Sequence, residues 1–564
     1  MKKSIYFFTL ILHSAILIAQ NNCNCDHYIS NLSATNFNLI NGNSFDYKPG
    51  DIFCIASGEY KGIRLVNFNG SQNNPLIFKN DGGKVIFSET TYPAIELKES
   101  TFIKFTGTGN TENKYGFIVT ANTTAIGITE FSSDIEMDHI KVERAGFAGF
   151  MAKTNPRCNN PKTWRRNGFI MKNIKLHDNY IKDTEGEGFY IGSTDGYKVK
   201  TRLKCNDEYA FPHWLENIEI YNNSIENVGW DGIQVNLVRK NGQIYNNTIT
   251  GYGTSTNNGY QKFAMSIGGG RYSVYNNYIK NLNDGKGMQF ISTQSGTMIY
   301  NNVMINPKSD AIFIHSRHQL EDKTRAYYVL NNTIINPEKS GVKLYTHITE
   351  SSNPNLLNTL QSSIPSYFVN NIIVNPGNNY ETTGTWKNID ENYFDFNAPD
   401  EKNMLKKYIS SNLLSKNIDT LGFSDSLNNN YTPKNSSSSM VDTGEDLVKF
   451  GITNDFNGIS RPQNNAFDIG AYELKNVSNS LHVKSFKPES KIITTLYPNP
   501  TNNYIIINTF LKINSAVFYD IKGNFIEKKE NPSNKISISN LKEGLYFIRI
   551  NYENTTEVLQ IIKK

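Results

Sequence analysis

The sequence predicts an all-β chain: a right-handed parallel β-helix (a solenoid) followed by a small C-terminal antiparallel β-sandwich. Three observations lead there. An asparagine pair recurs at a solenoid period, a short apolar–variable–apolar strand follows each pair, and convincing helical segments are scarce.

The pairs read YNNSI (Tyr221), YNNTI (Tyr245), YNNYI (Tyr275), YNNVM (Tyr300), LNNTI (Leu330) and VNNII (Val369). Their first asparagines fall at 222, 246, 276, 301, 331 and 370, in steps of 24, 30, 25, 30 and 39, and HDNYI at His177 extends the series back by 44. Asparagine tolerates the left-handed backbone of a turn, and its amide can bond the equivalent amide one rung away, so the pairs are expected to be structural. After each pair comes GFYIG (Gly188), GIQVN (Gly232), AMSIG (Ala264), GMQFI (Gly287), AIFIH (Ala311) or GVKLY (Gly341). Alternation predicts an inward row of Phe189, Ile233, Met265, Met288, Ile312 and Val342, doubled by Ile191, Val235, Ile267, Phe290, Ile314 and Leu344.

Of 564 residues, 38% are hydrophobic and 19% charged, enough for a large core, and a net charge of +5 implies no nucleic-acid partner. Residues 1–19 carry two lysines, an apolar run and a small residue before a plausible cut, the pattern of a secretory signal peptide. Asn22 before Cys23 does not suit lipoprotein cleavage. Export permits disulfides. Cys158 and Cys205 lie in long insertions flanking consecutive rungs and are expected to pair, with Cys54 bonding Cys23 or Cys25. The expected organisation is a cap over 20–50, the β-helix with its closing segment over 51–474, a polar linker over 475–491 and the terminal sandwich over 492–564.

Three segments resemble known families. DIFCIASGEYKGIRLV, from Asp51, resembles the first rungs of many secreted bacterial β-helix proteins, and DFNGISRPQNNAFDIGAYE, from Asp455, is similar to the closing segment of surface β-helix proteins. LYPNPTNNYIIIN (Leu496), YDIKGNFI (Tyr519) and LKEGLYFIRI (Leu541), before the basic end Lys563 and Lys564, resemble the type A sorting domain of the Bacteroidetes type IX secretion system. That resemblance implies delivery to the cell surface or medium, with the secretion machinery as a partner. Secreted solenoids of this kind are mostly polysaccharide lyases, glycoside hydrolases or adhesins.

The residues of the rungs suggest a polysaccharide groove. Tyr190, Gln234, Gln289, Phe313 and Lys343 point outward, with Asn236 and Tyr345 at strand ends, a line of aromatic and amide groups that suits a sugar chain. Glu187 and Asp231 precede successive strands at a rung spacing of roughly 4.8 Å, fit for a carboxylate pair or a calcium site. Arg239, Arg271, Arg317 and His315 follow the strands. Cations that neutralise a uronate, with a base to take its α-proton, make a lyase on an acidic polysaccharide the first expectation. A glycosidase on the same scaffold and a non-catalytic adhesin are the alternatives. A monomer is expected, with no resident metal apart from the calcium option.

Overall fold

The computed structural model describes residues 24–564 apart from 195, 197–200, 202, 257–260, 316–325, 346–361, 378–392, 397–404, 476–493, 510, 522 and 553–555. The expected signal peptide, Cys23, most of the linker and Arg317 lie outside the described residues. The chain divides into two compact units, 1–476 and 477–564.

The first unit is a right-handed parallel β-helix with three stacks of strands. Face one runs through Trp214–Tyr221, Val238–Tyr245, Tyr272–Tyr275, Thr297–Tyr300 and Tyr327–Leu330, each parallel to the next. The chain then turns at the asparagine pair into face two, through Ser224–Val228, Thr248–Tyr252, Tyr278–Lys280, Val303–Ile305 and Thr333–Ile335. Face three is a separate twelve-stranded parallel sheet. It carries the expected inward row, and each of those twelve side chains is buried. Near the N-terminus the core is aromatic, with Phe53 stacked on Phe78 (4.8 Å) and Phe78 on Phe105 (6.4 Å). Burying a phenylalanine or isoleucine contributes roughly 1.5–3 kcal/mol, so repetition gives a long core without helices.

The two asparagines of a pair do different work. The first takes the positive φ of the turn: 55° at Asn222, 55° at Asn246, 53° at Asn276 and 52° at Asn301. The second points inward and builds a ladder. Asn247 Oδ1 accepts from Asn223 N (3.1 Å) and Asn223 Nδ2 (3.0 Å), and Asn277 Oδ1 accepts likewise from Asn247. Spare amide protons bond carbonyls, as Asn277 Nδ2 does to Ile244 O at 2.9 Å. The ladder runs past the visible pairs. It begins where Ile140 N donates to Asn179 Oδ1 (3.0 Å) and ends where Asn371 N donates to Asn412 Oδ1 (2.9 Å). At these ends Asp178 and Ser411 take the positive-φ place (53° and 50°), because that place needs only a tolerant backbone. The solenoid therefore adds a rung, Leu405–Ser410 and Leu413–Ser415, beyond the last asparagine pair visible in the sequence.

The closing segment docks on these turns. Asn331 Nδ2 donates to Asp468 O and Gly470 O (both 2.9 Å), and Ala471 N donates to Thr333 Oγ1 (2.9 Å). Arg461, fully buried in its side chain, pairs with Glu473 (2.9 Å) and donates to the carbonyls of Asp468 and Gly470 (2.8 and 2.7 Å). Disulfides join Cys25 to Cys54 and Cys158 to Cys205. The second links two insertions, 47 residues apart in sequence, beside a small cluster of Trp164, Cys205 and Ala210.

The second unit has a three-stranded and a four-stranded antiparallel sheet. Tyr504–Asn508, Ser515–Asp520, Lys535–Ser537, Gly544–Asn551 and Thr556–Lys563 are among its strands, as the expected antiparallel sandwich requires. Ile505, Ile507, Phe518, Ile536, Ile548 and Ile550 form a core of its own. Among the described residues, no helix is long and apolar enough to cross a membrane.

Candidate active site

Face three brings Tyr190, Gln234, Ser266, Gln289, Phe313 and Lys343 into one register row on successive strands. The row is not uniformly open: Gln234 and Ser266 are buried, whereas Tyr190, Gln289, Phe313 and Lys343 are half-buried. Lys343 is held by Asp395 at 2.8 Å. Asn236 is buried at its strand end, and Tyr345 pairs with His315 in register.

Glu187 and Asp231 stand one rung apart at the entry to this face, since Gly149 N donates to Glu187 O (2.9 Å) and Gly188 N to Asp231 O (3.0 Å). Both are about 1% exposed. Asp231 Oδ1 accepts from Phe263 N at 2.8 Å, and Gln261 Nε2 reaches both Glu187 Oε1 (3.4 Å) and Gln234 Oε1 (3.2 Å). Among the described residues, buried Glu187 Oε2, Asp231 Oδ2, Gln234 Nε2 and Asn236 Nδ2 have no hydrogen-bond partner. Burial pushes Glu187 up to about 7. Burial also holds Asp231 well above the usual carboxylate range, opposed by the Phe263 N–H and reinforced by the nearby Glu187 charge. Desolvation favours the neutral acid, and two carboxylates a rung apart resist ionising together.

Aromatic and basic side chains gather beside the pair. Phe147 meets Tyr190 edge-on at 5.9 Å and Trp230 at 5.7 Å, and the Lys153 ammonium lies 4.0 Å over the Tyr190 ring. Farther along, Lys286 sits 5.3 Å over Phe263. Its pKa is lowered by burial and by the charges of Lys339 and Lys262.

The other expected catalytic groups do not join this cluster. His315 is three strands beyond Asp231 along the face, or about 14 Å at the usual strand spacing. Its Nε2 lies 3.0 Å from Gln289 Nε2 and its ring stacks on Phe313 at 4.5 Å. Arg239 is on face one, in Val238–Tyr245, with Nε bonded to Glu216 at 2.6 Å. Arg271 precedes the face-one strand Tyr272–Tyr275 and is exposed. Each loop leaves face three by turning the corner into face one, so residues two or three past a strand end face a different direction.

Phe147, Trp230, Lys153, Gln261 and Lys286 went unnoticed in the sequence. Aligning the rungs one position ahead of the acids shows Phe147 and Trp230 in one column; Gln261, on a long insertion, leaves no such signal.

A second ionisable group lies on the outer side of face one. Glu136, Asp138 and His177 place one ligand atom each within 4.8 Å of one another, with Lys104 paired to Glu136. His177 is the principal cause that holds Glu136 down at about 2, and Lys104 adds to it against burial.

Residues 495–564 match the model of the secretion system C-terminal sorting domain. No curated protein matches the chain. Among solved structures, the chain is similar to pectate lyase Pel9A (12% identity, TM-score 0.37, over 80% of this chain and 97% of that one). It is also similar to an alginate lyase from Paenibacillus sp. str. FPU-7 (13%, 0.33, over 69% and 98%). A GH136 lacto-N-biosidase from Eubacterium ramulus aligns at 12% identity and TM-score 0.41, over 66% of this chain and 63% of that one. By its own strand pairing the molecule is a parallel β-helix, and residues 495–564 add a secretion sorting domain. The type IX route delivers it to the cell surface or the extracellular space.

Proposed function

We propose that the chain is a polysaccharide-active enzyme, acting as a monomer, whose reacting groups are Glu187 and Asp231. The observation behind this reading is a pair of buried carboxyls one rung apart, both with pKa values raised by burial, Glu187 to about 7. Glycoside cleavage needs one carboxyl to protonate the leaving oxygen and another, ionised, to attack the anomeric carbon, about 5–5.5 Å apart in retaining enzymes. Two carboxyls that resist ionising together would supply one protonated and one ionised group. Phe147, Tyr190 and Trp230 offer an apolar wall for a sugar ring, and Gln234 and Asn236 offer amides to its hydroxyls.

Elimination from an acidic polysaccharide, which the sequence favours, is the second reading. It is supported by Lys286, whose lowered pKa suits a base and whose neighbours Lys262 and Lys339 would neutralise a uronate. The partnerless oxygens of Glu187 and Asp231 also suit calcium, a cation that takes oxygen ligands.

The test is to incubate the purified protein with acidic and neutral polysaccharides, with calcium or with chelator, following unsaturated-uronate absorbance and reducing ends separately. Reducing ends alone, lost in Glu187→Gln, support the glycosidase. Uronate absorbance lost in Lys286→Met transfers the assignment to the lyase. Binding with neither product leaves a glycan adhesin.

A further inference from the structure

We infer that Glu136, Asp138 and His177 form a binding site for a zinc-class divalent metal on the outer side of face one, apart from the face-three groove. Glu136 and Asp138 are two apart in Ser133–Asp138 and so share a face, and His177 is the register partner of Asp138 on the next rung. The backbone ladder alone brings an i, i+2 carboxylate pair and an imidazole together.

Two of the three atoms turned toward one another make no hydrogen bond among the described residues, and the third, Glu136 Oε1, is bonded to Lys104. Asp138 is about 1% exposed and His177 about 8%, yet Asp138 Oδ2 and His177 Nε2 have no hydrogen-bond partner. The far atom of each group is anchored. Asp138 Oδ1 accepts from Thr106 Oγ1 (2.5 Å) and lies 2.6 Å from His139 Nδ1. His177 Nδ1 lies 2.7 Å from Asp178 Oδ2. With Asp178 ionised, that contact requires a proton on Nδ1 and leaves Nε2 as the nitrogen turned toward the carboxylates, where a metal would replace any proton it carries, the carboxylate–histidine arrangement that supports metal-binding imidazoles. Tyr221 stacks on the imidazole at 4.5 Å and fixes its plane.

The spacing suits a small ion. Tetrahedral bonds of about 2.0–2.1 Å put ligand atoms about 3.3 Å apart. His177 Nε2 is 3.4 Å from Glu136 Oε1 and 3.9 Å from Asp138 Oδ2. One imidazole with two carboxylates favours zinc or a similar transition ion over calcium, which prefers six or more oxygens. Three protein ligands leave one position for water. The Lys104 ammonium, about a third exposed, brings a positive charge to this place, bonded to Glu136 and 3.4 Å from Asp138 Oδ2. Metal entry displaces it outward, so Lys104 competes with the ion.

The test uses the full chain after chelator treatment and dialysis, titrated with zinc by calorimetry and, separately, with cobalt followed by visible absorption. Calcium and magnesium are the control ions. One equivalent of zinc with micromolar or tighter affinity is expected, and a four-coordinate cobalt spectrum. Affinity should fall at least 100-fold in His177→Gln, fall about 10–100-fold in Asp178→Asn, and rise in Lys104→Met. Circular dichroism confirms that each variant is folded, and the expected gain in Lys104→Met does not depend on a damaged fold. No stoichiometric zinc in either wild type or Lys104→Met overturns the site. Zinc binding unchanged in His177→Gln also overturns it.

Discussion

Two regions of the solenoid bury polar side chains, and they treat them in opposite ways. At the corner between faces one and two, the second asparagine of each pair is buried with its hydrogen-bonding capacity spent on the neighbouring rungs. At the entry to face three, Glu187, Asp231, Gln234 and Asn236 are as deeply buried, and each keeps an atom with no partner. A buried polar group left unsatisfied costs about 1–3 kcal/mol. Four side by side, next to a ladder that wastes nothing, mark a place where satisfaction is reserved for something else. The same residue type can therefore be architecture at one corner and a candidate for chemistry at the other.

The largest effect that would sharpen the contrast is on rate. Glu187→Gln and Asp231→Asn keep the shape of the groove while removing its acid. Each is expected to lower glycan turnover about 10²–10⁴-fold, read as product release at matched circular dichroism. Full turnover in both variants would reduce face three to the same structural standing as the asparagine corner.

Next in size is the lock that the closing segment places over that corner. Arg461→Ala leaves Glu473 buried without its cation. Removing one partner of a buried pair costs about 3–5 kcal/mol, so chemical denaturation should show a loss of that order. A loss below 1 kcal/mol would mean that the segment adheres through its backbone bonds alone.

The pH dependence of stability separates the regions again, because asparagine does not titrate. In the folded chain Glu187 is pushed up to about 7 from an ordinary 4.5. Between those values the native state holds a proton that the unfolded chain has lost, so stability falls as pH rises through the window and levels off above it. The full shift corresponds to about 3 kcal/mol. Glu187→Gln should remove that part of the slope, making the variant the more stable protein at pH 8. Parallel stability–pH curves for wild type and variant would show that the carboxyl is not held neutral.

Within the corner itself, the two asparagines of one pair are predicted to differ. Asn277→Ala removes an amide that bonds Asn302, Ile244 and Tyr275, at about 1–3 kcal/mol. Asn276→Gly keeps a residue that accepts a φ of 53° and should cost a few tenths to 1 kcal/mol. Equal losses would show that the ladder and the turn are not separable.

What could be read from the sequence follows the same division. Repetition made the corner, the inward row and the period of face three visible, because each rung restates the same physical demand. The extra rung escaped because Ser411 replaces the first asparagine while Asn412 keeps the ladder. Glu187 and Asp231 could be aligned from their strands. Arg239 and Arg271 were misplaced because a residue count along a strand does not report the corner that follows it. Phe147 and Trp230 act from turns, and Gln261 from an insertion, where no period constrains the side chain. The Glu136–Asp138–His177 group lies on rungs where only Asp178 and Asn179 hint at the repeat.

The smallest expected effect is that of removing the sorting domain. Its two antiparallel sheets enclose their own core, built around Ile507, Phe518 and Ile548, while the solenoid keeps a separate one. The closing segment through Leu474 packs on the solenoid's own turns, with Asn370 Nδ2 donating to Glu445 O at 2.8 Å and Gly470 N donating to Asn370 O at 2.7 Å, and so belongs to the solenoid rather than to the sorting domain. A chain ending after Leu474 is therefore expected to keep the thermal transition of the solenoid within about 1 °C, a shift that corresponds to about 1 kcal/mol or less for a domain of this size. Differential scanning calorimetry of the full and shortened proteins should show the same main transition, with the smaller one absent from the shortened chain. A drop of many degrees would mean that the solenoid borrows stability from the sorting domain.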